Sequence, residues 1–288
     1  MQTKRVIHFL QFLQGGGVER VVSETVPHLN TADYQNDVCV FSSGDVNEER
    51  LRALGERPIF LDYVPGTGLS RFSNILELQR RVRRLLKRRK PHILHCHHWS
   101  TCRVVARASR GLPVVHVWHA HDMRPARGGS GLRDHLARLR FLVTTRRTAP
   151  SVIAVSEEVA DMVGDEFGVS PEDITVIPNA VDHEKWSREA SYRFPRGGGP
   201  VIIGTTSWFH RGKGHRELVQ AVSRLAERGV DCRALLAGNG PTREDVEKRV
   251  DELDLSDRVD FPGYVRDIRS FLEDVHVYVL PTTTYPEG

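Results

Sequence analysis

The 288-residue chain has no stretch approaching the ~20 consecutive apolar residues that a membrane-spanning helix needs. Its opening segment, MQTKRVIHFLQFLQGGG, is apolar only briefly and meets a glycine loop instead of a cleavage site, so no secretory leader is expected. Cysteine is scarce: Cys39, Cys96, Cys102 and Cys232 stand singly, without C-x-x-C spacing, which argues against both a disulfide framework and a zinc ribbon. Neither charge dominates, with Lys+Arg 41 against Asp+Glu 37, so an anionic partner has to be argued from where the charge lies. There is no short-period repeat and no low-complexity tract. The expectation is a mature, soluble, cytoplasmic chain with reduced thiols.

What is present is alternation. Short β-branched runs alternate with amphipathic stretches, the pattern of βα units around a parallel sheet. RVIHFL, DVCVFS, PIFLD, HILHCH, VVHVWH, SVIAVS and DITVIP read as seven strands of one open sheet. The segment RFPRGGGP, residues 193–200, lacks periodicity and separates this series from a second one, PVIIGTTS, CRALLAG, RVDFPG and VHVYVLP. The length and the 39% apolar content suit two cores. The fold expected is α/β with two Rossmann-like domains: 1–192, a linker at 193–200, and an incomplete second domain at 201–288.

Ligands of open α/β sheets bind at the carboxyl ends of the strands, so the residues just after each strand are the candidates. Gly15, Gly16 and Gly17 precede a helix whose amides could face an anion, or simply allow a tight strand-to-helix turn. The spacing is neither G-x-G-x-x-G nor a Walker loop. His119 and His121 end the fifth strand, and HCHH stands at 95–98; alternation sends His95 and His97 to one face and Cys96 to the other. A metal would need HCHH to supply further ligands, but no carboxylate accompanies those residues in their own loop, so no metal is expected. The helix through NILELQRRVRRLLKRRKP carries Ile75, Leu78, Val82, Leu85 and Leu86 on one stripe and a strongly basic remainder, either a solvated face or, over residues 73–90, a contact for an anionic membrane surface. Nucleic acid is not an expected partner, because no aromatic residue interleaves with the charge between Phe72 and Trp99. In the second domain Arg211 and Lys213 follow its first strand, Gly238, Asn239 and Gly240 its second, and Gly263 and Tyr264 its third; fixed cations beside a helix start suit a pyrophosphate.

In this order the segments GGGVERVV, KPHILHCHHW, LPVVHVWHAHD, SVIAVSEEVAD, ITVIPNAVD, GKGHRELVQAV, LLAGNGP, VDFPGYVRDIRSFLEDVHVYVLPT and PEG resemble the retaining nucleotide-sugar glycosyltransferases of the GT-B fold, family four, over nearly the whole chain. The resemblance implies an acceptor-side first domain and a donor-binding second domain. It places Gly16 and Gly17 beside the donor phosphates and His119, with His121 as runner-up, near the transferred sugar. Lys213 would contact the diphosphate; the usual upstream cation is replaced by Trp208, and Arg211 is its candidate substitute. Gly263, Tyr264 and Val265 would meet the nucleobase, and Glu287 the sugar hydroxyls. The family's second glutamate would fall eight residues after Glu287, past the last residue, so a truncated chain is expected, with its activity as it stands left open between transfer and donor binding alone. Ser156, Asn179 and Asp182 match structural positions, with Ala180 in place of the usual Gly.

The activity implied is transfer of a hexosyl unit from a nucleotide-diphosphate sugar to a glycan or lipid-linked acceptor, in polysaccharide or lipopolysaccharide synthesis. It would proceed with retention and with no cofactor or required metal, in the cytoplasm or peripherally on the inner face of the membrane. Leaving-group charge would be met by Lys213, Arg211 and backbone amides. The rivals are a nucleotide-sugar epimerase or hydrolase of the same fold and a non-catalytic nucleotide-sugar binding module.

Overall fold

The computed structural model describes residues 3–44, 46–55, 57–67, 70–122, 132–187 and 199–283. The chain divides into two compact units between Asn179 and Ala180. Most of the expected linker at 193–200, and Glu287, lie outside the described residues.

The first unit is built on seven parallel strands: β1 (Lys4–Leu10), β2 (Tyr34–Val40), β3 (Ile59–Phe60), β4 (Ile93–Cys96), β5 (Val115–Ala120), β6 (Ser151–Ala154) and β7 (Ile174–Val176). Their order across the sheet is β3-β2-β1-β4-β5-β6-β7, so the chain reverses direction of travel at the β1–β4 pair. Helices α1 (Gly17–Thr25) and α2 (Glu48–Ala53) pack with the β1–β2 end, where Leu10, Val22, Val26 and Val40 form one apolar cluster. Helices α3 (Ser70–Arg89), α4 (Trp99–Ala108), α5 (Leu132–Thr148) and α6 (Glu157–Phe167) bury the main core, with Phe9, Cys96 and the fully enclosed Trp118. Helix α6 starts where the Ser156 Oγ accepts the Val159 amide at 3.4 Å and stops at Gly168, which takes the left-handed conformation at φ 62°.

The stripe of α3 is as the spacing predicts, with Leu78, Val82, Leu85 and Leu86 buried. Much of its basic remainder is engaged within the unit. Arg81 Nη1 donates to the Leu61 carbonyl at 2.7 Å and Arg83 Nη1 to that of Ala108 at 2.8 Å, while Arg80, Arg81 and Arg84 share Glu77. No described helix is long and apolar enough to cross a membrane.

The second unit contains a short helix α7 (His183–Trp186) and four parallel strands, β8 (Val201–Thr206), β9 (Cys232–Ala237), β10 (Val259–Gly263) and β11 (Val277–Tyr278), ordered β10-β9-β8-β11. Helices α8 (His215–Glu227), α9 (Arg243–Glu252) and α10 (Ile268–Asp274) alternate with them. All eleven runs read as strands in the sequence are strands.

Candidate active site

In the second unit the loops after β8, β9 and β10 converge because one buried residue ties two of them together. Phe209, wholly buried, stacks on His215 at 3.9 Å between ring centroids. Its backbone N–H donates to the Asn239 carbonyl at 2.9 Å and its carbonyl accepts the Thr242 amide at 3.2 Å. Gly238, at φ 132°, donates its own N–H to the Gly263 carbonyl at 2.7 Å, tying the third loop to the second. A Cβ at Gly238 would run into the Ser207 carbonyl, so glycine is required by the closeness of the β8 and β9 loops.

Lys213 sits in this arrangement at the start of α8, half-buried, between Gly212 (φ 93°) and Gly214 (φ 73°), with its N–H donating to His210 at 3.1 Å. The Thr283 N–H caps the same turn through the Gly212 carbonyl at 2.8 Å, and Pro281 lies so close over Gly214 that any side chain there would collide with it. Arg211 is exposed beside Lys213, and Trp208 is 61% exposed on the same loop. Gly263 takes φ 75° and Tyr264 is 50% exposed after it, whereas Val265 turns its side chain into the cluster of Ala237, Phe271 and Val275. Of the loop expected to meet a nucleobase, then, Tyr264 offers a ring and Val265 only backbone. Sequence reasoning missed Arg243, which donates to Asn239 Oδ1 at 2.9 Å and to the Phe261 carbonyl at 3.3 Å and so braces the glycine loop from α9. The signal available was its place one turn after the Gly-Asn-Gly run.

His215 links this site to pH. Burial above all, with Lys213 adding and Glu217 opposing, lowers its pKa to about 4 from the ordinary 6.5. Its neutral form is therefore favoured in the folded state: the stabilisation is complete above pH 6.5 and is lost as pH falls towards 4. We expect the unfolding free energy to fall as pH drops from 6.5 towards 4 on account of His215. Melts of wild type and His215→Gln across that range check it, the variant showing the shallower dependence.

In the first unit Gly16 caps α1 and Gly17 opens it, and nothing lies within 4 Å of where a Gly17 Cβ would stand. The buried Glu19, however, folds its carboxylate back against Gly16 and meets His98 Nε2 at 3.5 Å. The His98 Nδ1 accepts the Gln11 amide at 3.3 Å, which leaves Nε2 to carry the proton towards Glu19. A phosphate brought to this helix start would meet a carboxylate already there.

The strand-end histidines form a larger group than the sequence showed. The register pairs His8 with His95 and Cys96 with Trp118, so β1, β4 and β5 present His8, His95, His97, His119 and His121 on one face. Rings stack along it, His95 on His97 at 4.2 Å and His119 on His121 at 3.9 Å. Burial holds all five below the ordinary imidazole range, His8 and His119 to about 4 and His121 to about 2. Both ring nitrogens of His119, the residue expected on the sugar side, are buried without a hydrogen-bond partner.

Comparison with known proteins places these units. The Glycosyltransferase Family 4 model matches residues 15–185, and the model described as Glycosyl transferases group 1 matches 200–288. EpsF of Bacillus subtilis (strain 168), named a glycosyltransferase, is 28% identical over 295 residues, covering 97% of this chain and 73% of its own. The lipopolysaccharide core biosynthesis glycosyltransferase LpsE of Rhizobium meliloti (strain 1021) is 29% identical over 216 residues, 72% of this chain and 54% of its own. In fold, the chain matches the crystal structure of Anabaena HepE in complex with UDP and glucose at a TM-score of 0.73 and 18% identity, over 99% of this chain and 76% of that one. A family match across more than half of the sequence, carried by a seven-stranded and a four-stranded parallel sheet of the GT-B type, means that the chain belongs to Glycosyltransferase Family 4 and is a GT-B glycosyltransferase.

Proposed function

We propose that the protein transfers a hexosyl unit from a nucleotide-diphosphate sugar to a glycan or lipid-linked acceptor, with retention of anomeric configuration. The observation that carries the donor half is the convergence, at one sheet edge of the second unit, of Lys213, the Gly238–Gly240 loop braced by Arg243, and Gly263 with the exposed Tyr264. A likeness in fold to a protein solved with UDP and glucose supports this reading.

In this account the diphosphate lies by the start of α8, where the N-terminal amides and dipole of a 13-residue helix favour negative charge. Lys213, aided by Arg211, stabilises the charge that grows on the departing diphosphate, an interaction stronger in the transition state than in the ground state. No metal is required at that step. Tyr264 stacks on or borders the nucleobase and Glu287 meets sugar hydroxyls; among first-unit residues, His119 and His121 are the candidates for the transferred sugar.

Product analysis tests the reading. The chain is incubated with a panel of nucleotide-diphosphate sugars and soluble or lipid-linked glycan acceptors, and products are identified by mass and anomeric coupling. An acceptor-linked sugar of the donor's configuration is the expected product. Free sugar or an epimerised nucleotide sugar as the sole product would replace transfer with hydrolysis or epimerisation, and donor binding with no product would leave a binding module.

A further inference from the structure

We propose that His97, His119 and His121 form a binding site for one zinc-class divalent cation at the β4–β5 strand ends of the first unit. One ring nitrogen from each lies within 4.8 Å of the others, and His97 Nδ1 and His121 Nε2 are 3.2 Å apart. Imidazole nitrogens about 2.0–2.1 Å from a tetrahedral zinc stand about 3.4 Å from one another, so the group needs only a small contraction to close on an ion. Three imidazoles, with no thiolate or carboxylate in the group, suit zinc, copper(II) or nickel and not calcium or magnesium.

Two further observations point to a ligand here. His119 keeps both ring nitrogens buried and without a partner, a state that buried polar groups normally avoid by finding a hydrogen bond, and coordination would satisfy one of them. The second is the chain of contacts behind His97. Asn36 Nδ2 donates to Asn30 Oδ1 at 3.1 Å, which turns Asn36 Oδ1 towards His8 Nε2 at 2.9 Å. His8 therefore carries its proton on Nε2 and accepts on Nδ1, at 3.0 Å, the proton of His97 Nε2. His97 is left with its Nδ1 lone pair aimed at His121 and His119. This is the relay by which an outer hydrogen-bond acceptor fixes the tautomer and orientation of a metal-binding imidazole.

A second group, His8, His95 and His97, also lies within 4.8 Å, but His8 and His95 are inside β1 and β4, whereas His97 and His121 lie just past the ends of β4 and β5. Of the two groups, among the described residues, only the one with His119 offers a residue with two unpartnered nitrogens. Three protein ligands leave a fourth position for water or a substrate hydroxyl. Spacing within any single loop supplies too few ligands; the β4–β5 pairing brings His97 beside His119 and His121, and the β1–β4 pairing sets His8 behind His97. The inference does not rest on the transfer reaction, since its readout is the metal.

The test is zinc titration of the full chain, prepared without an affinity tag, against a competing chelator, with cobalt(II) substitution as the spectroscopic probe. One equivalent of zinc is expected, with the visible bands of tetrahedral nitrogen-ligated cobalt(II). His119→Gln should weaken binding by about a hundred-fold or more and Asn36→Leu by about 10- to 100-fold, while His95→Gln retains it. Loss on His95→Gln but not on His119→Gln would overturn the assignment, as would affinity equal in wild type and His119→Gln. Should a variant fail to fold, the wild-type cobalt spectrum decides: octahedral, water-like bands would also overturn it.

Discussion

Lys213→Ala is expected to lower kcat by about 10²- to 10³-fold while leaving the melting temperature nearly unchanged. The magnitude is that of removing one preorganised donor from a developing anion. Lys213 is half-buried between two glycines in left-handed conformations, a backbone that fixes where its side chain departs, so no neighbouring cation takes its place without rebuilding the turn. Because the charge it meets grows as the diphosphate leaves, the loss should fall on kcat and on kcat/KM alike, with a smaller change in donor affinity. Lys213→Arg should restore only part of the activity, since a guanidinium is a planar fork and not a compact point charge. Steady-state kinetics on an acceptor identified by product analysis measures it; an unchanged kcat would remove Lys213 from the leaving-group site.

Phe209→Ala should destabilise the second unit by about 3–5 kcal/mol, the usual cost of deleting a fully buried aromatic ring. The ring fills the space between β8 and α8, stacked on His215, within the cluster of Ile203, Leu218, Val219 and Leu236. Its backbone holds both Asn239 and Thr242. Loosening it therefore loosens the Gly238–Gly240 loop and the Lys213 turn together, and nucleotide binding should fall even below the melting transition. Phe209→Leu keeps most of the volume and should cost less than half as much. Thermal unfolding with and without nucleotide separates the two effects, and a Phe209→Ala protein that melts like wild type would contradict the anchoring role.

The eleven strands were legible because strands of a covered parallel sheet are continuous apolar runs, and VIHFL, VVHVW and CRALLA have few other ways to bury themselves. The strand-end loops were legible for the same reason, since the ends of such runs locate them. What the sequence did not show depends on strand order and on side-chain direction. His8 joins His95 and His97 only because β1 lies beside β4, across 87 to 89 residues of chain. Glu19 reads as a helix-surface residue by position, yet it turns inward to cover Gly16. Val265 reads as part of an exposed loop, but the bend at Gly263 directs its side chain onto Phe271. The charge of α3 was plain; that Arg81 and Arg83 spend theirs on backbone carbonyls required the fold.

The central claim is that the second unit holds a nucleotide-sugar donor by its diphosphate. Calorimetric titration of the folded 288-residue chain with a panel of nucleoside diphosphates tests it most directly. The account predicts one site, selective for one base, weakened in Lys213→Ala and in Tyr264→Ala. A cooperatively melting chain that binds none of the panel, or binds all of them equally in wild type and Lys213→Ala, would contradict it.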